Sequence, residues 1–222
     1  MLRAFGAQHW WPAETPFEVM VGAILTQNTN WANVEKALGN LKKARSLNPQ
    51  ALYQMPQKKL ANLIRPSGYF NIKAKRLKNF IAFLFQEYNG EVKRMQGEPL
   101  KQLREKILAV NGIGPETADS ILLYALDKPI FVVDAYTKRI LYRHGFADKE
   151  ADYHHLQNLF MGQLDHDADL FNEYHALIVR IGKEFCKPTP RCEQCPLNRI
   201  HYSIKERCPK CFRYPRCGRA CS

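Results

Sequence analysis

Residues 108–139 read LAVNGIGPETADSILLYALDKPIFVVDAYTKR, and this stretch decides how the rest of the chain is organised. Apolar residues up to Val110 give way to Asn111-Gly112-Ile113-Gly114-Pro115, and a helical pattern follows. Glycines take backbone angles that side chains resist, so residues 111–114 are expected to form a tight hairpin. Pro115 suits the first position of the next helix, where its missing N–H costs nothing, and Glu116 falls in the first turn, where the helix dipole favours negative charge. The expected unit is helix, hairpin, helix. Its glycine N–H groups and the second helix's N-terminus would face outward as an anion site of phosphate size. The apolar run 129–133 then delivers Asp134 to the start of another helical pattern, 135–143. On its own, such an Asp is an ordinary helix cap. Beside the hairpin it becomes a candidate reactive carboxylate.

Gly112-Ile113-Gly114, Thr117-Ala118 and Val132-Val133-Asp134 together resemble the helix-hairpin-helix plus Gly-Pro-Asp (HhH-GPD) signature of the endonuclease III superfamily of DNA glycosylases. The resemblance spans residues 10–195. It includes Ala23-Ile24-Leu25-Thr26-Gln27-Asn28-Thr29, similar to the family's early helix and the loop that enters DNA, and Gly68-Tyr69-Phe70-Asn71-Ile72-Lys73-Ala74-Lys75, similar to the segment before a long helix. The resemblance implies that Gly112, Ile113, Gly114 and Thr117 grip the DNA backbone. It further implies that Gln27 fills the gap left by an extruded nucleotide and that Asp134 is the catalytic carboxylate. In bifunctional members a Lys stands two residues after the second hairpin glycine. Here that position is Glu116, and a carboxylate cannot form the Schiff base of a lyase step. The chain therefore resembles the monofunctional branch. Trp10-Trp11-Pro12 followed by residues 25–29 most resembles the 3-methyladenine DNA glycosylases related to endonuclease III.

Composition agrees with such a partner. The 222 residues carry 33 Lys plus Arg against 21 Asp plus Glu, a formal charge of +12, which favours a polyanion through counterion release. No run approaches the ~18 apolar residues of a membrane span, and the first residues show no apolar signal core, so a monomer in the cytoplasm, associated with the nucleoid, is expected. Apolar spacing predicts helices over 17–25, 31–41, 49–55, 57–64, 69–88, 100–110 and 171–182. The basic residues Lys73, Lys75, Arg76 and Lys78 on the long helix read as a solvated face or a surface against phosphate. With the brief segment before Asp134 the only β-like run, the expected fold is all-α. The resemblance divides it into a helical domain from 1–18 and 126–185, a six-helix domain over 19–125 with the hairpin, and a Cys-rich loop and basic tail over 186–222. It puts the active site in the cleft between the two helical domains.

All seven cysteines lie between Cys186 and Cys221. A cytosolic protein seldom keeps disulfides, so the clustering argues for metal. Cys186, Cys192 and Cys195 resemble the [4Fe–4S] loop of endonuclease III, with a first gap one residue shorter. The family's fourth Cys position is His201 here, and Cys208 is the next cysteine. Cys208 on a longer loop is taken as the fourth ligand, with His201 or a degenerate site as alternatives. Cys208, Cys211, Cys217 and Cys221 would otherwise suit a small zinc site, which would hand the cluster position to His201.

The expected reaction is hydrolysis of the base–sugar bond of a damaged base flipped out of duplex DNA, an alkylated purine such as 3-methyladenine, with the strand left intact. Trp10, Trp11 and Trp31 would stack on a cationic base. Asp134 would stabilise the oxocarbenium-like sugar and orient water. Glu116 either favours its helix end electrostatically or faces the cationic base. Two other readings stand beside this one. The first is a bifunctional glycosylase/lyase acting on oxidised or mismatched pyrimidines through an amine such as Lys138. The second is a non-catalytic helix-hairpin-helix DNA-binding protein.

Overall fold

A computed structural model describes residues 1–8, 10–198 and 200. His201, Cys208 and the cysteines beyond them lie outside the described residues. The described chain is all-α, with no strand. Its helices are α1 (Leu2–Phe5), α2 (Pro16–Leu25), α3 (Trp31–Lys43), α4 (Pro49–Gln54), α5 (Gln57–Leu63), α6 (Phe70–Tyr88), α7 (Val92–Gln96), α8 (Leu100–Leu108), α9 (Pro115–Leu126), α10 (Ala135–Arg143), α11 (Tyr153–Met161) and α12 (Ala168–Glu184). None is long and apolar enough to cross a membrane.

Two compact units divide the chain. One comprises Trp11–Val132 with Asp167–Asp169, and the other Met1–Trp10, Val133–His166 and the chain from Leu170 onward. The first unit is built around α2 and α9, the pair of helices in most extensive contact. Both are apolar almost all round, so each is buried on every face: α2 from Phe17 through Leu25, and α9 from Thr117 through Leu126. The one carboxylate in the middle of α9, Asp119, is fully buried. Arg104 of α8 satisfies it with two parallel bonds, Nε to Oδ1 at 2.7 Å and Nη2 to Oδ2 at 3.0 Å. Amphipathic helices α3, α5, α6 and α8 close around this pair with their apolar stripes inward.

In the second unit, α12 presents Phe171, His175, Ile178 and Gly182 at three- and four-residue spacing, the stripe that packs inward. Gly182 lies so close to Tyr136 of α10 that any added Cβ would overlap the ring. The N-terminal arm docks on α12. The Gln8 N–H donates to the Glu173 carboxylate at 2.9 Å, and the Arg180 guanidinium lies 4.3 Å from the Phe5 ring centre.

The long helix starts at Phe70 rather than at the expected Tyr69, because Gly68 and Tyr69 both take positive φ (67° and 45°) and turn the chain into it. Its basic run is not a solvated face. Lys73 is 1% exposed, Arg76 and Lys78 are half-buried, and of the four only Lys75 is exposed. Charge periodicity cannot reveal this, because the acceptors lie in other segments: backbone carbonyls for Lys73 and Lys78, and the Gln27 carboxamide for Arg76.

Candidate active site

The hairpin has the predicted form, but its two glycines serve different needs. Gly112 has φ 94°, and a Cβ there would overlap the aliphatic stem of Arg76. Gly114 has φ −97° and ψ 176°, an extended conformation open to any residue, and a Cβ there would meet nothing within 4 Å. Neither its own backbone nor the packing demands glycine at 114. Helices α2, α3, α4, α10 and α11 are each capped by a side chain, from Thr15, Asn30, Asn48, Asp134 and Asp152, whereas α9, like α1 and α5 to α8, begins with no side-chain cap. Helix geometry leaves its first-turn N–H groups without an intrahelical acceptor, at the positive end of the dipole. An outside anion is the natural acceptor.

Gln27 is joined to this hairpin. Its Nε2 donates to Gly112 O at 3.2 Å and to Thr117 Oγ1 at 3.0 Å, and its Oε1 accepts from Arg76 Nη1. Ile113 is buried beneath the turn. The structure thus brings Gln27, Gly112, Ile113, Gly114 and Thr117 together in one unit. Beside them Asn28 takes φ 53°, and Tyr69 and Ile72 are 69% and 54% exposed. Sequence reading gave Tyr69 no separate role. Its signal was a large ring directly after Gly68, at a turn where apolar side chains have no core to enter.

Asp134 heads α10 in the other unit. Its Oδ1 caps the helix, accepting from the Thr137 N–H at 2.7 Å and from Thr137 Oγ1 at 2.9 Å. The ordinary cap is therefore real, and it fixes the carboxylate's direction. The second oxygen, Oδ2, faces His175 Nε2 at 3.8 Å, with the side chains 13% and 7% exposed. Burial alone would push the Asp134 carboxyl up. His175 beside Oδ2, together with the two hydrogen bonds from Thr137, outweighs it and holds the group below its ordinary value of 3.8, so it is ionised at neutral pH. The result is a preoriented, half-buried carboxylate of the kind that stabilises positive charge developing on a sugar. Sequence reading saw His175 only as part of a packing helix. Its signal was a titratable ring within an apolar stripe.

Trp11 and Trp31 meet edge-to-face at 5.0 Å and 90°, and Tyr124 of α9 joins them 5.2 Å from Trp11. Trp10 belongs to the other unit, where Lys183 lies 5.4 Å from its ring. Tyr124 was read only as a residue of the second hairpin helix. Glu116 is exposed in the first turn of α9.

In the cysteine loop, Arg143 Nη1 donates to Cys186 Sγ at 3.3 Å and to Lys187 O at 2.6 Å, while Arg139 Nε donates to Cys186 O at 2.6 Å. Cys186 and Cys195 are buried, and burial pushes the Cys195 thiol up. Among the described residues no three His, Cys, Asp or Glu side chains are gathered closely enough to hold a metal ion.

The model of the HhH-GPD superfamily of base excision DNA repair proteins matches residues 21–165. A protein of Methanocaldococcus jannaschii described as a DNA repair glycosylase is 48% identical over 198 residues, covering 89% of this chain and 90% of that one. Endonuclease III of Thermotoga maritima is 30% identical over 184 residues, covering 81% and 79%. Among solved structures, the 3-methyladenine DNA glycosylase of H. pylori bound to 1,N6-ethenoadenine superposes with a TM-score of 0.70 at 32% identity, covering 82% of this chain and 91% of that one. A trapped endonuclease III–DNA covalent intermediate gives 0.76 at 25% identity, covering 90% and 89%. A family model over most of the chain and relatives at 30% identity or more, matched over most of their length, show the affiliation: the chain belongs to the HhH-GPD superfamily and is a base excision repair DNA glycosylase.

Proposed function

We propose that the chain is monofunctional and hydrolyses the N-glycosidic bond of an alkylated purine such as 3-methyladenine, leaving an abasic site in an unbroken strand. The observation that carries this reading is Glu116, exposed in the first turn of α9 where bifunctional relatives have a Schiff-base lysine. The 32% identity to a structure titled as a 3-methyladenine DNA glycosylase supports the substrate class. Alkylation at a ring nitrogen makes the base cationic and already a good leaving group, so acid catalysis is needed little. The glycosidic bond then breaks with its electron pair going to the base, positive charge develops on the sugar, and water adds to it. Asp134, ionised and fixed by Thr137 and His175, stabilises that charge and takes the proton from water. Half-buried Trp10, Trp11 and Trp31, with buried Tyr124 packed on Trp11, supply π faces that favour a cation over a neutral base. The hairpin holds the backbone, and the Gln27 loop and exposed Tyr69 sit beside it, shaped to enter a duplex.

On the same reading, Cys186, Cys192 and Cys195 with Cys208 would hold a [4Fe–4S] cluster once the three described cysteines draw closer together than they stand here. Soft sulfur donors and a guanidinium N–H directed at Cys186 Sγ suit thiolates that carry negative charge. When bound, the cluster would order the loop, and every step of the hydrolysis is assigned to other residues. Borohydride trapping on lesion-bearing duplex tests monofunctionality. No covalent adduct is expected, and an adduct at Lys138 or any other amine would overturn it.

A further inference from the structure

Helix α6 carries side-chain donors on one side at three-residue spacing: Lys73, Arg76 and Asn79. Each fastens a different loop of the same unit. Lys73 Nζ donates to Leu25 O at 2.8 Å, the last carbonyl of α2, and to Ser67 O at 2.7 Å, in the turn before Tyr69. Arg76 donates to the Gln27 carboxamide, and its stem fills the space that Gly112 leaves. Asn79 Nδ2 donates to Asn111 O at 3.0 Å. A buried lysine is expensive to desolvate, and this one is spent entirely on two main-chain oxygens 42 residues apart in sequence.

We propose that α6 is a positioning helix, with Lys73, Arg76 and Asn79 fastening the Gln27 loop, the Ser67–Tyr69 turn and the hairpin into one preformed DNA-facing surface, and with Arg76 acting through Gln27. The consequence is mechanical. The three loops reach a duplex in fixed mutual register, so the ordering cost is met during folding and not at binding. The inference rests on the proposed function for what that surface touches, but not for its being fastened.

Two measurements decide it. The first is a double-mutant cycle of Arg76→Met and Gln27→Ala, read as Kd for a duplex carrying a tetrahydrofuran abasic-site analogue. Each single change should weaken binding about 10-fold and the double change no more than either. A double variant weakened about 100-fold would mean the residues act independently and would overturn the proposal. The second is amide hydrogen exchange of DNA-free Lys73→Met. Exchange should speed up in segments 26–30 and 67–69 and stay at parental rates in 135–143. An unchanged pattern, or an equal rise everywhere, would overturn the fastening role. If the parent itself does not prefer the abasic-analogue duplex to undamaged duplex, the proposed function falls, while the exchange measurement still decides whether α6 fastens the loops.

Discussion

Replacing the two hairpin glycines one at a time with alanine should move stability in opposite senses while weakening DNA binding in both cases. Gly112→Ala places a side chain at φ 94°, which costs about 1–3 kcal/mol for a non-glycine residue. The new Cβ also overlaps the Arg76 stem and displaces the side chain that holds Gln27. Destabilisation of about 2–3 kcal/mol is expected, with weaker duplex binding alongside. Gly114→Ala meets open space at an ordinary backbone angle, so it should stabilise the fold by about 0.4–1 kcal/mol by restricting the unfolded chain. If a phosphate approaches that N–H surface, the same methyl group blocks a charge-assisted hydrogen bond of about 1.5–3 kcal/mol, which is roughly a 10- to 100-fold rise in Kd. The assay is urea unfolding for stability and fluorescence anisotropy on duplex DNA across a salt series. The lost contact is to a neutral N–H and neutralises no phosphate charge, so Kd should rise by a similar factor at every salt concentration, with the log–log slope near the parent's. A Gly114→Ala protein that is stabilised and binds duplex like the parent would refute the claim that this surface receives a phosphate.

Asp134→Asn should lower the single-turnover excision rate by about 10²–10⁴-fold while leaving the fold and duplex affinity near the parent's, because Asn caps a helix about as well as Asp. For the parent, the stability contributed by Asp134 should persist through neutral pH and be lost only as pH falls below the ordinary carboxylate value of 3.8, as acid unfolding of parent and Asp134→Asn would show. Lys73 has the opposite linkage. Desolvation first and Arg76 second lower its pKa from 10.5 to about 8, so between those values the unfolded chain holds a proton the folded chain has released. Stability should therefore rise across that window by up to about 3 kcal/mol relative to Lys73→Met. Arg104→Met strands the buried Asp119 carboxylate and should cost about 3–5 kcal/mol in urea unfolding. Purified protein should contain iron and acid-labile sulfide in the ratio of a [4Fe–4S] cluster, and Cys186→Ser should lose both.

The parts legible in the sequence were those set by local spacing. Gly112-Ile113-Gly114-Pro115 specified a hairpin and a helix start because turn chemistry is short-range, and apolar spacing marked 17–25 as a helix, though not that α2 and α9 are buried on every face. The parts not legible depended on partners distant in the chain. Lys73 looked like one charge in a solvated run until Leu25 O and Ser67 O appeared beside its ammonium. His175 gained meaning only from Asp134, 41 residues earlier. Gly114 was read as a conformational need, yet its backbone is ordinary. What its position lacks is a neighbour, which no spacing rule reports.

The most direct test of the central claim uses the purified full chain on duplexes carrying single lesions, scored for free base and for strand breaks with and without alkali. The account predicts release of alkylated adenine, with breaks only after alkali. Direct nicking at an oxidised pyrimidine, with no alkylated adenine released, would contradict it.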